Sequence, residues 1–337
     1  MLQKQPEKQL WPHKTALQRY NLRNLMADSN EKSVLLAYVA LGIGVVCIGF
    51  SGIFVKIAGA PGVVSAFYRV LIAGIGIVPW GILRQVKRPA SKETILIATG
   101  GIFFALDLAL WHTSLLLTSA ATATLLANNA PLWVGLGALL LFREQLTLRY
   151  WCGLMLSIVG MAILVGATSW SGLQLNVGDL LAIAASGFYA AYILTTQRAR
   201  VHVDTLTFMT ISLVSTIPVL LILNLAMGTA LTGYPAKTWL ALIGLGLVSH
   251  MGGWLAINYA LGHLRAAPVS VTLLGQVIVT ALLSIPLLGE TLSRHQILGG
   301  MVVLGGIYLA NQRNGEKSEI LRSSGDTSST SGQESKG

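Results

Sequence analysis

The stretch 120-AATATLLANNAPLWVGLGALLLFREQLTLRYWCGLMLSIVGMAIL-164 reappears in altered form as 266-AAPVSVTLLGQVIVTALLSIPLLGETLSRHQILGGMVVLGGIYLA-310. The two align without a gap at an offset of 146 positions. Glu144 meets Glu290, Gly153 meets Gly299, Met155 meets Met301 and Gly160 meets Gly306. Five apolar spans precede the end of the first copy and five more complete the second. Five is odd, so the second copy must cross a bilayer upside down relative to the first. Inverted repeats of this kind suit carriers whose two halves rock around a site at mid-membrane.

Composition agrees with a lipid solvent. Apolar residues make up 53% of the 337 and charged residues 11%, against about 25% charged in an average soluble domain. The 36 glycines fit helices that approach closely within lipid. A net charge of +10 could point to nucleic acid, but the basic residues sit in short loops and tails without interleaved aromatics, which excludes that partner. Cys47 and Cys152 lie inside apolar spans, form no CxxC pair and read as small packing residues rather than disulfide or metal ligands.

Runs of about 20 apolar residues place ten transmembrane helices at 33–57, 62–83, 94–115, 119–141, 148–167, 177–197, 205–227, 237–262, 266–288 and 292–311. The fold class is therefore all-α and integral to a membrane, with two inverted five-helix repeats at 33–167 and 177–311. Residues 1–32 form a basic tail, and 312–337 a Ser/Gly/Thr-rich tail expected to be disordered. Of the 23 Lys and Arg residues, all but Lys56, Arg69, Lys237 and Arg294 lie on one side if the N-terminus is cytoplasmic. The positive-inside rule then puts both termini in the cytoplasm. Trp11, Leu17, Tyr20, Leu25 and Met26, set among basic residues, read equally as a surface-lying amphipathic helix or as a solvated lead-in.

Polar residues within apolar spans mark the chemistry, because each costs free energy unless it meets a partner or a cavity. Arg69 and Asp107 lie about seven and eight residues from the outer ends of their spans, at nearly the same depth. A charge at mid-bilayer costs about 2.5–3.5 kcal/mol. A structural ion pair or a shared water-filled cavity would each resolve that cost. In the fourth span, Asn128-Asn129-Ala130-Pro131 should open the helix, since Pro131 lacks an N–H and crowds the carbonyl of Ala127. By the offset, Asn129 and Ala130 correspond to Gly275 and Gln276, so both halves weaken a helix at one place and set an amide beside it. Thr272, Gln276, Thr280 and Ser284 follow at four-residue intervals. His250, Trp254 and Asn258 make a similar row in the eighth span. With Trp111, Tyr189 and Tyr192 they could wall a pocket for an organic solute. Asp107, His112 and His250 are the titratable candidates for proton coupling.

Glu144 and Glu290 stand ahead of the fifth and tenth spans, where an acid can neutralise exposed N–H groups. Gly153 with Gly160, and Gly299 with Gly306, are seven residues apart and share a face for close helix contact. These are architectural.

Taken together, these residues resemble the EamA-type carriers of the drug/metabolite transporter superfamily across about 35–311. The resemblance rests on the inverted duplication, on Phe67-Tyr68-Arg69, on Ser119-Ala120-Ala121-Thr122-Ala123 leading to Pro131, and on the paired Glu-plus-glycine segments. One departure is Val277, which stands where the first half has Pro131. The resemblance implies a bacterial-type inner-membrane carrier, often an exporter of amino acids, metabolites or drugs, with a central cavity between the halves.

The expected function is secondary transport of a small organic solute by alternating access. The substrate-binding candidates are Arg69, Asp107, Trp111, Asn128, Asn129, Tyr189, His250, Trp254 and Gln276. An uncoupled facilitator or a lipid-head-group flippase is the alternative within transport. A membrane enzyme is less favoured, for want of an HxxxH, a DxxD or clustered His and Cys. No GxxxxGK[ST] sequence is present, so direct ATP use is not expected. No cofactor or metal is implied.

Overall fold

The computed structural model describes residues 16–85, 89–118, 120–165, 176–289 and 291–312. Glu290 and the two tails, save the backbone from Ala16, lie outside the described residues. Every described element is helical: α1 (Ala16–Ala58), α2 (Gly62–Leu83), α3 (Ser91–Leu117), α4 (Ala120–Ala127), α5 (Ala130–Leu141), α6 (Leu148–Val165), α7 (Val177–Arg200), α8 (Thr205–Ala226), α9 (Ala236–Gly244), a π-helical segment (Leu245–Gly252), α10 (Gly253–Leu261), α11 (Ala266–Leu273), α12 (Gly275–Leu288) and α13 (Arg294–Asn311). The backbone of α1 runs unbroken through the expected tail boundary at residue 32.

Nine described segments are long and apolar enough to cross a bilayer. Three of them are composite: α4 with α5, α9 through α10, and α11 with α12. The tenth span is α13, which opens on the polar Arg294-His295-Gln296 and is 18 residues long, about 27 Å. Leu83, Leu140, Leu148 and Leu240 are among many large apolar side chains left exposed on the outside of the bundle, as lipid-facing positions require.

The two repeats match in small details. Thr147 Oγ1 accepts from Tyr150 N at 3.2 Å at the start of α6, and Ser293 and Gln296 form a reciprocal capping box at the start of α13. Thr147 and Ser293 are themselves 146 positions apart. These hydroxyls cap the helices; Glu144, expected at a helix start, stands four residues ahead of α6 and bonds elsewhere. Arg143 (φ 53°) and Gly289 (φ 69°) also share the offset, and both are left-handed. Glycine adopts that conformation freely, whereas Arg143 is strained there.

The last helices of the two halves, α6 and α13, pack against each other through the four repeat glycines. A Cβ on Gly153 would lie 2.5 Å from Ala310 N, and one on Gly160 would lie 2.6 Å from Val303 N. A Cβ on Gly306 would lie 2.6 Å from Gly153 O. The backbones are closer than any side chain allows, which is how lipid-embedded helices gain contact without a hydrophobic driving force. Outside this seam, α6 and α13 contact chiefly α4, α11 and α12.

Candidate functional site

Both interrupted spans break at one place. In the first, Asn129 N donates to Leu126 O at 3.2 Å and Leu132 N to Asn129 O at 3.0 Å, a tightened turn forced ahead of Pro131. In the second, Leu274 N donates to Val271 O and Val277 N to Leu274 O, at 3.1 and 3.2 Å. Leu274 is the 146-residue equivalent of Asn128. The second half thus opens without a proline, with Gly275 beginning the new segment. The two breaks face each other: Gln276 Nε2 donates to Asn128 Oδ1 at 3.4 Å, joining the halves.

Beside that junction lies a cavity of about 390 Å³. Arg69, Asp107, Trp111, Asn128, Tyr189, Trp254 and Gln276 all contribute to its wall. The two charges therefore share one cavity, although no ion-pair contact within 4.0 Å joins them among the described residues. Arg69 is 6% exposed, and its Nη1 donates to Ser51 Oγ at 3.2 Å. Its Nε, like the indole N–H groups of Trp111 and Trp254, has no acceptor among the described residues. A buried unpaired donor costs about 1–3 kcal/mol.

Two substrate-binding candidates lie off the wall, as does His112. Asn129 turns its amide back onto Leu125 O at 2.9 Å, so it serves the helix break rather than the cavity. His250 is 2% exposed and sits on the π-helical segment, 5.6 Å from Phe104 ring to ring. Of the row His250, Trp254, Asn258, only Trp254 reaches the wall; Asn258 lies one turn further along α10 and bonds Tyr192. His112 bonds its Nδ1 to Leu108 O at 2.5 Å and packs over Gly62. Of the proton-coupling candidates, only Asp107 faces the cavity.

The stripe on the ninth span also divides at the break. Gln276, Thr280 and Ser284 line the cavity, whereas Thr272 accepts from Asn311 Nδ2 of α13 at 3.0 Å. Several wall residues escaped the sequence reading: Ser51 and Lys56 of α1, Phe104, and Gln296. Phe104 had a signal, because it precedes Asp107 by three residues and so shares its face.

The cavity is one-sided. Its wall runs from Asp107 and Asn128 to Lys56, Leu288 and Gln296, at helix ends on the face away from the start of α1 and the end of α13. In the other direction an aromatic layer blocks it. Phe104 stacks on Tyr192 at 4.6 Å and meets the edge of Trp254 at 4.9 Å. Tyr192 is buried below the wall, where Asn258 Nδ2 donates to its hydroxyl at 3.2 Å and to Met209 Sδ at 2.9 Å.

Among solved structures, one protein crystal structure superposes with a TM-score of 0.68 at 19% identity, covering 83% of this chain and 96% of that one. This likeness concerns the fold. The "Uncharacterized transporter YdfC" of Bacillus subtilis is 24% identical over 272 residues, 80% of this chain and 88% of that protein. An "Uncharacterized transporter" of Archaeoglobus fulgidus is 25% identical over 273 residues, 80% of this chain and 94% of that protein. The family model described as the EamA-like transporter family matches twice, at residues 35–166 and 176–312. With its membrane-crossing helices, paired breaks and central cavity, this chain belongs to the EamA-like transporter family.

Proposed function

We propose that this transporter is a secondary carrier that moves a small organic solute (a metabolite, amino acid or drug-like molecule) across the plasma membrane by alternating access. Each half is one five-helix repeat, 33–167 and 177–311, and the solute sits between them. The observation that carries the reading is the meeting of Asn128 and Gln276, where the two helix breaks touch beside a cavity holding Arg69 and Asp107. Broken helices at corresponding places of inverted halves supply freed backbone groups and a pivot at the binding depth. The aromatic faces of Trp111, Tyr189 and Trp254 suit an organic body. Arg69 anchors an acceptor-bearing group, and Asp107 is the wall residue fit to bind a cation or proton. With both termini cytoplasmic, the described conformation is open to the outside and closed to the cytoplasm.

The test is uptake and efflux of a labelled metabolite panel by the full chain in proteoliposomes, with and without an imposed proton gradient. Movement of one compound class, reduced at least tenfold by Arg69→Gln in a normally folded protein, is the expected result. Movement of no compound, or movement indifferent to Arg69→Gln and Trp254→Ala, would overturn this assignment of the site.

A further inference from the structure

A small polar contact closes the face toward which the cavity does not open. Gln197 lies one turn from the end of α7, on the terminus side of the aromatic layer. Its Nε2 donates to Glu144 Oε1 at 3.1 Å, and its Oε1 accepts from Ala266 N at 3.3 Å. Glu144 belongs to the connection between α5 and α6 in the first half, whereas Gln197 and Ala266 belong to the second. One side-chain amide therefore ties the two halves at their terminus-side ends. It also caps α11, whose own N-cap residue Arg265 offers no side-chain bond.

The tie is incomplete. Glu144 Oε2 is buried without a partner among the described residues, so the carboxylate keeps half its acceptor capacity unmet while this face is shut. Opening the face to water would satisfy it. That unmet acceptor offsets part of the cost of breaking the tie, because opening supplies it with water. Glu144 and Gln197 are not in the wall of the cavity, so their role is separable from solute contact.

We propose that the Glu144–Gln197–Ala266 contact is the latch of the terminus-side gate: it forms when the cavity opens to the opposite face and must break for the cavity to open on this one. The proposal rests on the alternating-access reading above. It assigns Gln197 a positioning role in the transport cycle. Breaking the latch moves the resting population toward the conformation open on the terminus side, without altering the groups that line the cavity.

The experiment uses the full chain in lipid nanodiscs, with Cys47→Ala and Cys152→Ala and one reporter cysteine at a time. Ser270→Cys reports the shut side: Ser270 is 2% exposed and lies one turn beyond Ala266. Ala281→Cys reports the cavity wall. Reaction rates with a membrane-impermeant maleimide are compared between the parent, Gln197→Ala, and Gln197→Glu, which sets a second carboxylate against Glu144. The expected result is labelling at least about fivefold faster at Ser270→Cys and correspondingly slower at Ala281→Cys, with Gln197→Glu shifted further. Unchanged rates at both reporters would overturn the latch. Acceleration at Ser270→Cys without slowing at Ala281→Cys would also overturn it, since that pattern means local loosening. Solute movement by the parent in proteoliposomes tests the transport reading separately, so a failed latch leaves that result standing.

Discussion

Gly305 and Gly306 are neighbours in α13, yet replacement by alanine should change stability in opposite directions. A Cβ at Gly306 would lie 2.6 Å from both Gly153 O and Ser157 N of α6. Ordinary contact is about 3.5–4.0 Å, so the two helices must part by about 1 Å. The Ser157 hydroxyl lies closer still and can turn aside, but these two atoms are backbone and cannot. Overpacking of this kind costs about 1–3 kcal/mol, and immovable neighbours put it near the upper end. The helix propensity of alanine over glycine returns about 1 kcal/mol, leaving a net loss of about 2 kcal/mol for Gly306→Ala. At Gly305 the nearest atom would be Leu156 Cδ2 at 3.9 Å, an ordinary contact, so Gly305→Ala keeps the propensity gain of about 1 kcal/mol. Gly299 and Gly300 repeat the contrast about two turns earlier: 2.7 Å to Gly160 O against 3.8 Å to Leu164 Cδ1. Unfolding of the purified protein in mixed micelles by increasing denaturant fraction reads all four variants. Shifts of the same sign at Gly305 and Gly306 would refute the claim that α6 and α13 meet backbone to backbone.

The other expectations concern separate places in the bundle. Arg143→Gly removes a side chain from a left-handed residue and should leave stability unchanged or raise it by about 1 kcal/mol, measured by the same unfolding assay; a clear loss would mean that the arginine makes a contact worth more than its strain. Asn258→Ala leaves the buried hydroxyl of Tyr192 without its amide donor, at a cost of about 1–3 kcal/mol. Adding Tyr192→Phe should recover part of that loss, and strict additivity in the double-mutant cycle would contradict the coupling. Burial raises the Asp204 carboxyl, but hydrogen bonds led by those from the Thr207 hydroxyl and backbone outweigh it and hold the group below its usual value. A depressed carboxyl contributes stability that is present above the unfolded-state value near 3.9 and is lost as pH falls through the folded one. The capping contribution to α8 should therefore begin to fade below about pH 4 and be lost below the folded value, and an Asp204→Asn variant should flatten that limb of the stability profile. Cysteines at Asn128 and Gln276 should each react with a water-soluble thiol reagent, and silence at both would place that junction away from the cavity.

How much of this was legible in the sequence follows from which interactions are local. Spans are set by runs of apolar residues, so the ten helices could be read directly, including the second copy's inversion. The break at Pro131 was legible because proline acts on its own turn. The break at Leu274 was legible only through the repeat, since Gly275 and Val277 alone do not demand it. The π-helical segment at Leu245–Gly252 had no visible signal, and His250 lies within it, off the wall, whereas Trp254 follows it and reaches the wall. The mutual packing of Gly153, Gly160, Gly299 and Gly306 could be read as close contact with some helix. Which helix it was depended on a distance in three dimensions. Glu144 misled for a related reason: a glutamate ahead of a helix resembles a cap, but Thr147 was nearer the first turn and its hydroxyl took that place.

The seam between α6 and α13 also constrains how the chain is made. Leu148 and Arg294 are 146 positions apart, and at about 5–20 residues per second the ribosome needs roughly 7–30 s to travel that far. Throughout that interval α6 is in the bilayer with its glycine face turned to lipid or to a provisional neighbour. The first half cannot reach its final packing until the last span arrives, so assembly is completed by the end of the chain rather than half by half. A nascent chain stalled before Arg294 would present an unsatisfied glycine groove, the sort of surface by which membrane quality control can recognise an unfinished protein.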